Sequence, residues 1–287
     1  MAVTGNTQLA VTKQDAIAEL VQRELAFQSK LLPTVMDVSV YAKPGDKSVS
    51  FPKSGSFTVE NRASATEGTN QHLTYLNDKL DLDYRAHVQW LIDNMDEYQA
   101  RPDIKADYIK KATSAHARNI DTQIITKLDA SAGYVQAAGV TQAKILNAVQ
   151  FLDQNHAKEE GRYLLIPPSG RNQMLSIADF IRADAMGTSN IARGVIGEVY
   201  GLQVMVHAGI VGAKAWIYSD EAIAWAFQKG ATYAEQQAIT YGTGSHIAVL
   251  DQLFGSKAMR LGDGLAFDNS TALGGAASPF IAELSGI

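Results

Sequence analysis

The stretch that decides the fold runs from residue 162 to residue 210, RYLLIPPSGRNQMLSIADFIRADAMGTSNIARGVIGEVYGLQVMVHAGI. Residues 163–166 are a short apolar run closed by Pro167 and Pro168. Proline has no N–H for a ladder and cannot continue a central strand, so a buried strand stops there. Ser169 then stands where a helix N-cap belongs, and Met174, Ala178 and Ile181 recur at helical spacing, with Leu175 and Ile177 widening the stripe. Gly187, Gly194, Gly197 and Gly201 punctuate the next segment, and Leu202, Val204 and Val206 alternate with Gln203, Met205 and His207. The pattern is strand, helix, turns, strand, and it holds no recognisable catalytic constellation.

Downstream, residues 215–218 read as a strand, 220–227 as a short helix, 231–236 as a strand after Gly230, and 241–246 as a loop. Residues 247–250 and 255–267 read as extended segments, followed by a Gly/Ala/Ser-rich tail from Gly274. Upstream, Thr141 begins a helix with Ile145, Val149 and Leu152 on one face. Before it lies a longer one. Pro102 suits a first helical position, Asp103 sits near the positive end of the dipole, and Ile104, Tyr108, Ala112, Ala115, Ile120, Ile124 and Leu128 carry the period to Gly133. Residues 103–128 would span about 39 Å at 1.5 Å per residue. Ala112, Ala115 and Ala117 would admit a sheet closely, and Asp107 and Lys111 form an i,i+4 pair on the solvated side.

Near the start, residues 14–32 read as an amphipathic helix with Ile17, Leu20, Val21, Leu25 and Phe27 apolar, ended by Pro33. The pattern fits an ordinary core helix, and it equally fits an arm whose apolar face has no home in its own subunit. Residues 35–41 look extended, and Pro44, Gly45 and Asp46 are turn chemistry ahead of a strand in which Val49 and Phe51 alternate with serines. The return strand alternates strictly through Leu80, Leu82, Tyr84, Ala86, Val88 and Trp90. Between them, residues 52–77 are polar, with Phe57, Val59, Leu73, Tyr75 and Leu76 as the apolar anchors. A polar excursion of this length between good strands marks function or disorder. Folded as a ribbon with arms of about 15 residues it could reach about 50 Å, and a lone two-stranded ribbon is marginal in water. It should therefore lie on something else, and a neighbouring subunit is the economical candidate.

The 287 residues suffice for a substantial core, and 46% hydrophobic with 19% charged is ordinary for a folded protein. There are no cysteines, which removes disulfides and thiolate zinc sites and fits a reducing compartment. The first residues lack a signal-peptide pattern, and no stretch approaches the apolar length of a membrane span. Net charge is -5 with Lys and Arg scattered, so the basic footprint of a dedicated nucleic-acid binder is missing.

The remaining motifs give no chemistry. Gly242 and Gly244, like Gly262 and Gly264, flank single residues in plain turns, too short for a phosphate loop. His72, His87, His116, His156, His207 and His246 show no zinc spacing, and His116 reads as an ordinary helix-face residue. Asp93, Asp96 and Glu97 read as a solvated acidic turn. Trp90, Trp216 and Trp225 sit among apolar neighbours and read as core. No catalytic, cofactor or metal residue is expected.

The order from the Pro-Pro strand end through the helix and residues 190–204, NIARGVIGEVYGLQV, resembles the major capsid proteins of tailed bacteriophages, and the flanking elements follow that family's order. The resemblance implies an α+β phage major-capsid-type fold. Its parts would be an N-terminal arm (1–32), an extended hairpin loop (43–79), a peripheral domain (33–42, 80–139 and 245–270) with spine helix 103–128, an axial domain (140–244) and a C-terminal tail (271–287). It also implies a non-enzymatic subunit forming hexamers and pentamers in an icosahedral shell around double-stranded DNA. Such a shell is assembled in the host cytoplasm and found in the virion, with no membrane and no cofactor. A separate scaffolding protein, a portal and a decoration protein are the implied partners, and DNA is held by non-specific proximity. Leu25, Phe27, Lys47, Phe51, Phe57, Val59, Leu73 and Tyr75 are the expected inter-subunit contacts. Two other readings stay open: an encapsulin-type nanocompartment shell, and an α+β enzyme or binding protein whose lid is residues 52–77.

Overall fold

The computed structural model describes residues 17–18, 21, 29–54, 57, 59–61, 67–72, 75–93, 104–136, 140–155, 157–177, 197–212, 214–238, 245–259 and 278–285. The deciding stretch folds as its prolines dictate. Strand β6 (Arg162–Ile166) ends at Pro167, and helix α3 (Pro168–Leu175) begins at once. Pro167 is the N-cap and Pro168 opens the helix, so Ser169 lies inside the first turn and caps nothing. A proline's fixed φ suits that opening position and its missing N–H costs nothing there. Ala178 and Ile181 lie outside the described residues. Strands β7 (Glu198–Val199) and β8 (Leu202–Val206) follow, and β8 returns parallel to β6.

Two sheets share the chain. The six-stranded sheet has the order β5-β12-β9-β6-β8-β7, where β5 is Ala132–Gln136, β9 is Lys214–Ser219 and β12 is Ser278–Ser285. Helix α2 (Gln142–Gln154) buries Ile145, Ala148 and Leu152 in the core that also holds Leu164, Trp216, Ile217, Ile281 and Leu284. The four-stranded sheet has the order β1-β10-β11-β4, with β1 at Met36–Asp37, β4 at Tyr84–Ile92, β10 at Ile223–Gln237 and β11 at His246–Ala258. Helix α1 (Ile104–Ser131) is 28 residues long, about 42 Å. Its first half packs Ala112 against Ala231, Tyr233, Ala248 and Leu250 of the four-stranded sheet. Its second half sends Ile120, Ile124 and Leu128 into the core that joins both sheets. Val21, fully buried, belongs to the same cluster as Ala112.

Several further readings differ from the structure. The expected helix at 220–227 is a 3-10 turn (Asp220–Ala222) followed by the long strand β10. Ala222, Ile223, Ala224, Trp225 and Ala226 are all fully buried, and a run apolar on every side carries no period to tell helix from strand. The return from Leu80 to Trp90 is two strands, because Leu82 and Asp83 break it between two different sheets. Residues 35–41 form only β1 before a 3-10 turn at Ser39–Tyr41. The expected tail contains β12, an inner strand of the six-stranded sheet. Ala115 is exposed, while His116 is buried on the sheet side of α1.

Candidate assembly surface

The hairpin begins at the turn 44–46, where Gly45 has φ +98°, a conformation that a side chain would strain. Strands β2 (Ser48–Ser54) and β3 (Tyr75–Asp81) then pair antiparallel, from Ser48 opposite Asp81 to Ser54 opposite Tyr75. They form a sheet of two strands. Among the described residues, its foot is buried. Val49 and Leu80 face each other and join Val38, Leu82, Ala224, Ala226 and Met259, with Phe51 packed at the margin. Trp225 points to the opposite face, into the main core, so small Ala224 and Ala226 let the stem lie close on β10. Gly255, paired with Ala226, goes further: a Cβ there would stand 2.2 Å from the Asp81 carbonyl oxygen.

Beyond the ladder, two apolar anchors among the described residues are exposed. Phe57 is 60% exposed and Val59 89% exposed. Of the other expected contacts, Lys47 is exposed and Phe51 half-buried against its own hairpin foot. The Tyr75 backbone closes the ladder opposite Ser54, and Leu25, Phe27 and Leu73 lie outside the described residues.

The charged groups serve as stitching. Asp121 of α1, 3% exposed, accepts from Ser29 Oγ at 2.6 Å, from the N–H groups of Lys30 and Leu31 at 3.4 and 3.3 Å, and from His207 Nε2 at 3.0 Å. The other imidazole nitrogen, Nδ1, accepts the Gly209 N–H at 3.0 Å, which leaves Nε2 as the N–H donor to Asp121. Serine and histidine both donate to the carboxylate and not to each other, so no nucleophile is activated. Thr34 Oγ1, 2.7 Å from the Tyr218 hydroxyl, ties the same segment to β9. At the far end of α1, Lys105 binds Glu235, which also accepts from Tyr233 and faces His246 at 3.6 Å. Burial would raise the Glu235 carboxyl, but the Lys105 hydrogen bond and charge outweigh it and hold it below the usual range. His116 is pushed below the ordinary imidazole value by burial, against the pull of the Leu250 carbonyl. Sequence spacing could not reveal the Asp121 cluster, whose members lie 86 to 92 residues from it.

Among the described residues no helix is long and apolar enough to cross a membrane. No curated protein matches significantly. Solved structures do. One from Mycobacterium phage Che8 is 15% identical with a TM-score of 0.72, covering 89% of this chain and 90% of that one. A capsid structure of the cyanophage P-SCSP1u is 14% identical with a TM-score of 0.69, covering 88% and 86%. A virus-like particle from Pyrococcus furiosus is 10% identical with a TM-score of 0.59, covering 95% and 99%. These likenesses give the fold, the α+β phage major-capsid type. The family model described as phage capsid protein matches residues 14–248, most of the chain. The chain therefore belongs to the phage capsid protein family, as a structural protein of the shell.

Proposed function

We propose that this chain is a major capsid protein that self-assembles as hexamers and pentamers into an icosahedral shell enclosing double-stranded DNA. The observation that carries this reading is surface left over. The chain exposes 17205 Å², whereas a compact monomer of 30.9 kDa exposes about 12,000 Å². The excess includes an exposed ribbon bearing Phe57 and Val59. A two-stranded ribbon gains little order from its own ladder, so neighbouring copies supply the rest. Covering Phe57 and Val59 would contribute roughly 1.5–3 kcal/mol each.

In this reading residues 43–79 are the overlapping hairpin, and Leu25, Phe27, Lys47, Phe51, Phe57, Val59, Leu73 and Tyr75 make inter-subunit contacts. The arm (1–32), the peripheral domain with its spine helix, the axial domain (140–244) and the segment 271–287 keep the roles the resemblance implies. Assembly takes place in the host cytoplasm with a separate scaffolding protein, a portal and a decoration protein. A net charge of -5 suits walls that leave packaged DNA mobile.

The test is expression of the chain alone and with candidate scaffold, followed by electron microscopy and analysis of the contents. Closed shells of hexameric and pentameric units holding nuclease-protected DNA are expected. Closed shells holding an enzyme would instead favour the nanocompartment reading, which the virus-like particle likeness keeps open. A stable monomer that binds a small ligand would overturn both.

A further inference from the structure

Beside the foot of the hairpin, an apolar pair is both exposed and held still. Val40 and Tyr41 lie in the 3-10 turn Ser39–Tyr41 and are 89% and 65% exposed. Hydrogen bonds fix every neighbouring residue. Val38, 1% exposed, donates its N–H to the Trp225 carbonyl at 2.8 Å and packs into the hairpin foot. Ser39 Oγ accepts the Phe227 N–H at 2.9 Å, and Asp37 Oδ1 accepts the Ser39 N–H at 2.9 Å and its hydroxyl. The Tyr41 and Ala42 N–H groups close back on Val38 and Ser39 at 3.1 Å each. A mobile loop can fold its apolar side chains away from water, and this turn cannot.

Rigid exposure of an aliphatic and an aromatic side chain is what an interface anchor requires, because little ordering entropy remains to be lost on docking. We infer that Val40 and Tyr41 form an anchor seated on a second copy of this chain in the assembled shell. The inference rests on the shell reading and adds to it a contact outside the hairpin.

Two observations select the occupant. The turn stands at the hairpin's foot: Gln228 Nε2 donates to the Lys43 and Asp46 carbonyls at 2.9 and 2.6 Å, and the Leu82 N–H binds the Lys47 carbonyl at 3.0 Å. A copy meeting the hairpin therefore passes beside this pair. Second, residues 36–42, MDVSVYA, carry a single charge, the carboxylate of Asp37, which offers nothing to a phosphate backbone.

The chain has no cysteine, so Val40→Cys introduces a single thiol. Its alkylation by iodoacetamide, a reagent small enough to pass shell pores, is measured in free subunits and in shells of this chain alone. The thiol should react about a hundredfold more slowly in shells, as expected for a sealed interface core. In parallel, the pair Val40→Ser with Tyr41→Ser should raise the subunit concentration needed for shell formation about tenfold. Melting of the free subunit should be unchanged, and Tyr41→Phe should assemble like the wild type. Equal thiol reactivity in the two states, or assembly of the serine pair at the wild-type concentration, overturns the inference while leaving the shell reading standing. Absence of shells from the unmodified chain overturns the shell reading, and this inference with it.

Discussion

At Asp121 one buried carboxylate answers donors from two distant segments, 29–31 and His207, and so holds the chain's early residues and the loop after β8 against α1. Removing it leaves the Ser29 hydroxyl, two backbone N–H groups and an imidazole N–H without their acceptor, and unsatisfied buried donors are costly. Asp121→Ala should lower subunit stability by about 2–4 kcal/mol, with Asp121→Asn milder because its oxygen still accepts. Chemical denaturation of unassembled subunits measures this, and an unchanged midpoint would refute the stitching role. Glu235 sets a pH dependence. Its carboxyl is held below the ordinary value in the folded subunit, so the stability it contributes is present above the unfolded value, about pH 4.3, and is lost as pH falls through the folded one. Denaturation midpoints should drop on acidification below about pH 4.3, less steeply for Glu235→Gln. Neither cluster is legible in the sequence. His207 reads only as a residue at the end of an alternating strand, and nothing near Asp121 marks it out, because their meeting is a product of topology and not of spacing.

Elements are legible where period and punctuation agree. The spine helix can be placed within a few residues of its ends because Ala112, Ile120, Ile124 and Leu128 face one side, and β6 because Pro167 ends it. Sequence pattern fails where burial is uniform, as at 220–227, or where composition misleads. Strand β12 follows a Gly/Ala-rich stretch and itself contains Ser278 and Pro279, yet Ile281, Ala282 and Leu284 are fully buried between β5 and β9. Deleting 278–285 should abolish cooperative unfolding of the whole subunit, and a scanning-calorimetry trace that kept the wild-type transition would contradict the topology. The hairpin's junction gives a subtler test. Gly255→Ala forces a methyl to within 2.2 Å of the Asp81 carbonyl unless the stem moves. A cost of about 1–3 kcal/mol is expected from such overpacking. Because the displaced element is the stem itself, assembly should suffer more than the subunit's melting does, and equal losses would show that the stem's angle is unimportant.

At the scale of the molecule, the surplus surface makes stability a property of concentration. Two sheets share one core, and beyond Ser54 Phe57 and Val59 are exposed; in the shell proposed above, neighbouring copies cover them. A partner that binds only the folded state at a hundred times its Kd stabilises it by about 2.7 kcal/mol. For a chain of 287 residues that is a rise in Tm of about 4–5 °C. Melting followed from dilute subunits to concentrations that form shells should show this rise. Replacing residues 55–74 with a short turn separates the two sources of order. The described residues there, including Phe57 and Val59, are almost all exposed, so the shortened subunit should melt like the dilute wild type. It should also lose the dependence on concentration, because the side chains meant for the neighbour are gone. If the shortened chain still formed shells with the same gain in Tm, the ribbon would be ornamental and the ordering energy of the shell would have to come from the sheets themselves.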